Sequence, residues 1–283
     1  MNKKYLDKLL QDMQLKNFTA STIETYWLAT RNFLKYINKD ASLLTYADIR
    51  NYIFYLQKEE GKMPSTINCY LGAIRFFCEY TLGFEWNSRK VPKMKTNKKL
   101  PLILTKEEVN TYIDSFESLK YKTIVSTMYS SGMRVSEVLH LRYEDISRKK
   151  KQIYIRNAKN RMDRYAILSE RNLDILTEYW YRYNRPIEWL FPSQVTGKPL
   201  THSAIALYMN RQTELLEWNK KITPHTMRHC FAVHMLEDGI SHTFIQQLLG
   251  HRSPSSTEHY LQMTSKALMG IRSPFDAEGG SNE

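Results

Sequence analysis

NSRKVPKMKTNKKLPLIL, residues 87–104, divides the chain in two. It carries Arg89, Lys90, Lys93, Lys95, Lys98 and Lys99 without a single acid, and Pro92 and Pro101 disfavour a continuous helix through it. The stretch reads as an interdomain linker. A flexible basic segment of this kind also suits a phosphate backbone, so its lysines are candidate DNA contacts, with an ordinary solvated linker as the plainer alternative.

Upstream, residues 1–86 read as a helical domain. Tyr5, Leu6, Leu9, Leu10 and Met13 recur at helical spacing, as do Ile23, Tyr26, Trp27, Phe33 and Leu34. Thr19 or Ser21 can cap the second helix, and Glu24 completes a capping box with Ser21. Ile49, Tyr52, Ile53 and Leu56 mark a third helix, and Ser65 precedes a fourth through Ile67, Leu71, Ile74 and Phe77. Downstream, residues 105–270 read as a second, mostly helical domain opened by Thr105, Glu107 and Glu108. One helix there stops near Ser131 and Gly132. The alternating QIYIR at 152–156 and RYAIL at 164–168 predict a small β-hairpin. Further helices are expected at 170–184, 202–217, 225–238, 241–249 and 255–266, and residues 271–283 read as a disordered tail. The expected fold class is mainly α, with one small β element.

Composition narrows the partners. The 283 residues carry a net charge of +12, and 42% are hydrophobic, enough to supply a core in each domain. Residues 1–100 hold 17 Lys and Arg against 9 acids, while residues 101–283 hold 24 against 20. The positive excess therefore sits in the small domain and linker, as expected of a grip on a polyanion beside a larger domain that does chemistry. Three cysteines, Cys69, Cys78 and Cys230, suggest neither a disulfide framework nor a metal knuckle, which fits a reducing, cytoplasmic setting. No run approaches the roughly 18 apolar residues of a membrane span, and the opening residues lack a signal-peptide pattern.

Several polar residues stand where packing gives them little reason to be. Arg134 follows a glycine turn; His225 and Arg228 lie three apart on one helical face; His251 follows a helix stop, and Tyr260 comes nine residues later. Phosphodiester cleavage needs fixed cations around a transition state richer in negative charge than its substrate. Two guanidiniums suit this, because each offers a planar fork and keeps its charge, so Arg134 and Arg228 could form such a clamp. Losing a preorganised donor of this kind costs roughly 3 to 4 kcal/mol of transition-state stabilisation. Tyr260 could attack as a nucleophile whose ester stores the energy of the broken bond. His225 is its candidate base or hydrogen-bond partner. Lys159, between the two strands, is the candidate acid for the departing oxygen. Glu137, one turn after Arg134, could orient that arginine.

The motifs that carry these residues resemble the tyrosine recombinase, or phage integrase, family. SSGMRVSEVLHLRYEDI at 130–146 is similar to the first arginine box, PHTMRHCFAVHMLEDGI at 224–240 to the histidine–arginine box, and LLGHRSPSSTEHY at 248–260 to the tyrosine box. KNFTASTIETYWLATRNFLKYI at 16–37 and KLPLILTKEEV at 99–109 extend the resemblance towards the front. It implies a tyrosine recombinase fold with a SAM-like core-binding domain. It also implies a catalytic set of Arg134, Lys159, His225, Arg228, His251 and Tyr260, a 3'-phosphotyrosyl intermediate, and no metal or cofactor. Double-stranded DNA with paired sites, a C-shaped clamp, a homo-tetramer on DNA and strand exchange through a Holliday junction belong to the same expectation. The segment after Tyr260, LQMTSKALMGI, resembles the terminal helix that family members lend to a neighbour. Where the family commonly has a glycine–lysine–glycine turn, this chain has Ala158, Lys159 and Asn160, followed by Arg161 and Arg164. Lys151 and Arg161 are therefore alternative acids, and Arg161 and Arg164 are further candidate DNA contacts.

Other readings stay open on the residues alone. His225, His229 and His234 cluster, but the glutamate of HExxH is missing; His229 and His234 fit packing or DNA contact better than metal ligation, and Cys230 reads as a small core residue. Relaxation of supercoils by the same nucleophile, as in type IB topoisomerases, would need no partner site. A non-catalytic DNA-binding protein would need none of the six site residues.

Overall fold

A computed structural model of the chain describes residues 2–96, 100–156, 163–250 and 260. Two compact units separate at Lys99 and Leu100. The first holds α1 (Lys3–Leu15), α2 (Ala20–Ile37), α3 (Tyr46–Lys58) and α4 (Pro64–Phe76). Thr19, rather than Ser21, caps α2: its side chain accepts from the Thr22 N–H at 3.3 Å, so Ser21 and Glu24 already lie inside the helix and form no box. Thr45 and Asp48 do form one at the head of α3. Pro64 opens α4 at the position where its missing N–H is harmless. That helix widens into a π-helical turn, Phe77–Leu82, which ends at Gly83. Phe33, Ile49, Ile67 and Ile74 form one core, and Leu9, Met13, Leu34 and Phe77 a second beside it.

The first half of the basic stretch folds onto this unit. Val91 is buried in its core. The Asn68 amide holds Met94 from both sides, donating to its carbonyl and accepting from its N–H, each at 2.9 Å. Lys90 reaches over the Tyr46 ring at 4.6 Å, and Lys90, Lys93 and Lys95 are all exposed.

The second unit contains α5 (Lys106–Asp114), α6 (Leu119–Ser131), α7 (Val135–Leu139), α8 (Glu170–Arg182), α9 (His202–Leu215), α10 (Pro224–Glu237) and α11 (His242–Leu249). Its sheet is β1 (Ile146–Ser147), β2 (Gln152–Ile155) and β3 (Arg164–Ile167), antiparallel throughout. The expected hairpin pairs Ile153 with Ala166 and Tyr154 with Tyr165, which turns Ile153, Ile155 and Ala166 inward.

α10 packs against α6 and is buried on nearly every side: Met227, Arg228, Cys230, Phe231, Ala232, Val233 and His234 are all inaccessible. This burial forces the polar groups on those sides to find internal partners. His234 shows how: Nε2 lies 2.9 Å from the Leu104 carbonyl oxygen and Nδ1 lies 2.9 Å from the Tyr129 hydroxyl. A proton on Nε2 satisfies both contacts with a neutral ring, and burial lowers the pKa of His234.

Candidate active site

α6 ends at Gly132, whose φ of +64° suits glycine. A Cβ there would stand 2.4 Å from the Phe231 ring and 2.9 Å from Leu249, so the turn requires glycine for space as well. Two residues on, Arg134 caps α7. Its backbone N–H donates to Glu137 Oε2 and its Nη1 to Glu137 Oε1, both at 2.8 Å.

Glu137 accepts from a second guanidinium as well. Arg164, the first residue of β3, donates through Nη1 to Oε1 at 2.9 Å and through Nη2 to Oε2 at 2.7 Å. Its remaining Nε–H donates to the Leu248 carbonyl at the end of α11, at 2.9 Å. The Glu137 side chain is only 5% exposed. Burial alone would raise its pKa, but the bonds and charge of Arg164, then those of Arg134, outweigh this and hold the carboxyl at about 2.

Arg228 enters from α10. Nη1 donates to the Gly132 carbonyl at 2.8 Å and Nη2 to the Leu249 carbonyl at 2.7 Å. These are the carboxyl ends of α6 and α11, where helix dipoles favour a cation. Burial and the neighbouring Arg134 charge bring its pKa down to about 10, so it stays charged at neutral pH.

Tyr260 lies in helical backbone, 3% exposed, among Phe231, Val233, Ile245 and Leu249. Burial raises its pKa, and the charges of Arg228 and Arg134 partly offset this. Both arginines therefore act electrostatically on the phenol. The Tyr260 hydroxyl stands 3.0 Å from Nδ1 of His229. His225, one turn earlier on α10, is exposed, with its ring centre 6.3 Å from that of His229.

Such an arrangement, two buried or half-buried cations beside a sequestered phenol, fits a tetrahedral anion better than any neutral ligand. Comparisons with known proteins agree: residues 102–266 match the phage integrase family, and residues 5–88 match the N-terminal SAM-like domain of phage integrases. The chain belongs to the phage integrase, or tyrosine recombinase, family. A putative integrase/recombinase of Sinorhizobium fredii is 37% identical over 270 residues, 95% of this chain and 87% of that protein. The tyrosine recombinase XerA of Pyrococcus furiosus is 30% identical over 270 residues, covering 93% and 91%. The fold matches that of XerH site-specific recombinase bound to palindromic difH substrate, with a TM-score of 0.75 at 19% identity over 94% of this chain and 83% of that one. Family membership gives the chain a general activity, the cleavage and rejoining of DNA.

In this recombinase the sequence expectations land unevenly. Arg134, Glu137, Arg228 and Tyr260 share one site in the second unit, with His225 at its edge on α10. Lys159, Arg161, His251, Lys98 and Lys99 lie outside the described residues. Lys151 is ion-paired with Glu170. Arg164, expected on DNA, is instead nearly buried and has its guanidinium engaged by Glu137 and Leu248; its aliphatic stem packs under Gly250, where a Cβ would come within 3.0 Å of it. His229, assigned to packing or DNA contact, meets the tyrosine hydroxyl. Its i+4 spacing from His225 was the available signal, and it did not say which ring Tyr260 would meet. Among the described residues, no group of His, Cys, Asp and Glu is placed to hold a metal ion, and no helix is long and apolar enough to cross a membrane.

Proposed function

We propose that the protein is a site-specific DNA recombinase of the mobile-element or Xer-like kind, acting in the cytoplasm. Tyr260 attacks the scissile phosphate, forms a 3'-phosphotyrosyl ester and releases a 5' hydroxyl. The observation that carries this reading is the buried Tyr260 hydroxyl, set against His229 on the helix that also carries Arg228 and lowered in pKa by the charges of Arg228 and Arg134 against the effect of burial. Those two guanidiniums stabilise the equatorial oxygens as negative charge grows on them. Glu137 orients Arg134 through its backbone N–H and Nη1, which limits its reorganisation during the step. Lys159 protonates the departing 5' oxygen, and His225 and His251 bind the phosphate. The exposed Lys90, Lys93 and Lys95 meet backbone phosphates, as do Lys98 and Lys99. Four copies on two DNA sites exchange strands pairwise through a Holliday junction, and the free chain is monomeric or weakly associated.

The test uses a duplex recovered from a randomised library by its covalent capture on the wild-type chain. A nicked form of it should trap an adduct in EDTA, mapped to Tyr260 and to a 3' phosphate, and Tyr260→Phe should abolish it. An adduct that persists in the Tyr260→Phe protein would refute the assignment.

A further inference from the structure

We infer that His229, through Nδ1, is the group that takes the proton from Tyr260 as it attacks. This rests on the recombinase reading and deepens it. The His229 ring stands at hydrogen-bonding distance from the phenol, its Nδ1 3.0 Å from the hydroxyl oxygen. Its partner is the reacting atom itself, so His229 counts as a catalytic residue. The tyrosine shares a buried apolar cluster with Phe231, Val233, Ile245 and Leu249. In such surroundings bulk water is a poor proton acceptor, while a phenol with its ordinary pKa of about 10 needs one to attack at neutral pH.

The backbone supports the same assignment. His229 follows Arg228 directly on α10, and Arg228 is locked to the Gly132 and Leu249 carbonyls. The helix is buried on both sides of the ring, so the imidazole is carried on a rigid element. Acceptance at Nδ1 requires the neutral ring with its proton on Nε2. The step then balances. The Tyr260 O–H bond breaks and its proton moves to Nδ1; the phenolate oxygen bonds to phosphorus; the bond from phosphorus to the 5' oxygen breaks, and that oxygen takes a proton from Lys159. On rejoining, the 5' hydroxyl returns its proton to the lysine and the leaving tyrosine oxygen recovers its own from His229. No proton or electron is gained or lost over the cycle.

The experiment compares single-turnover cleavage of the nicked, library-recovered duplex by the full-length wild type, His229→Ala and His229→Asn. The His229→Asn protein is a fair control because an amide oxygen can accept the hydrogen bond near the Nδ1 position without taking the proton. Both variants should cleave about 10²- to 10⁴-fold more slowly, the usual contribution of a positioned base, while binding the same duplex as tightly as wild type. Replacing Tyr260 by difluorotyrosine, whose phenol is more acidic, should restore rate in both variants by a larger factor than in wild type. Near-wild-type cleavage by either variant, or equal gains from fluorination in all three proteins, would overturn the assignment and leave His229 at most a positioning residue. Should the wild-type chain form no adduct on Tyr260, the recombinase reading fails first and this assignment with it.

Discussion

Replacing Glu137 by Gln is the most informative single change in the arginine cluster. Each carboxylate oxygen accepts two bonds: Oε1 from Nη1 of Arg134 and Nη1 of Arg164, Oε2 from the Arg134 backbone N–H and Nη2 of Arg164. An amide keeps one acceptor and turns the other position into a donor that faces two N–H groups. It also removes the negative charge that offsets two guanidiniums at that point. A carboxyl at about 2 instead of the usual 4.5 binds its proton about 300-fold more weakly, which corresponds to about 3 kcal/mol of folding stability at neutral pH. That agrees with the roughly 3 to 5 kcal/mol found when one partner of a buried ion pair is removed.

The pH dependence has a definite sign. Because the folded carboxyl is the stronger acid, its stabilisation is complete above the unfolded value and fades as pH falls from about 4.5 towards 2. At pH 3.5 roughly 2 of the 3 kcal/mol should remain. Calorimetry of the full chain at pH 7 should show the transition of the second unit lowered by about 6 to 12 °C in the Glu137→Gln protein, with the gap narrowing by about a third at pH 3.5. A shift under about 2 °C at pH 7, or a gap that is constant down to pH 3.5, would refute the argument that this carboxylate organises the cluster.

Two further predictions follow from neighbouring groups. Arg164→Lys keeps the charge but cannot bridge both Glu137 oxygens and the Leu248 carbonyl at once; covalent-adduct formation should slow about ten- to hundredfold, equivalent to about 1.4 to 2.8 kcal/mol, while the affinity for duplex DNA measured at fixed salt stays near wild type. Gly132→Ala combines a left-handed conformation, roughly 1 to 2 kcal/mol for a residue with a Cβ, with collision against Phe231 and Leu249, roughly 1 to 3 kcal/mol more. It should lower the midpoint of urea unfolding and also slow cleavage under conditions where the protein remains folded, since the Gly132 carbonyl holds Arg228.

Much of this architecture can be read from spacing. The helical recurrence from Tyr5 to Met13, the alternation at 152–156 and the glycine turn before Arg134 each come from a local regularity, and each appears where expected. What escaped reading depends on distant contacts. β1 is two residues long, too short to show alternation, and exists only because Ile146 pairs with Ile153. Arg164 looks in sequence like one more cation near a basic loop; its burial follows from α11 ending against β3, a contact between residues 84 apart. His229 and His225 share a helical face, and the choice between them depends on how α10 is rotated towards the segment that carries Tyr260. The cap of α2 was ambiguous for a different reason: Thr19 and Ser21 are both good caps, and only the first turn's hydrogen bond separates them.

The Arg164 guanidinium has a mechanical meaning. Its two Nη groups bind it in the plane of Glu137, and so to α7, while its Nε–H ties β3 to α11. In sequence, β3 follows the segment that includes Lys159, and α11 precedes the one that includes His251 and Tyr260. A displacement of β3 is therefore passed to α11 through one rigid plate, a lever with α7 as its fulcrum. α7, β3 and α11 therefore cannot move apart without breaking a bond to this one guanidinium.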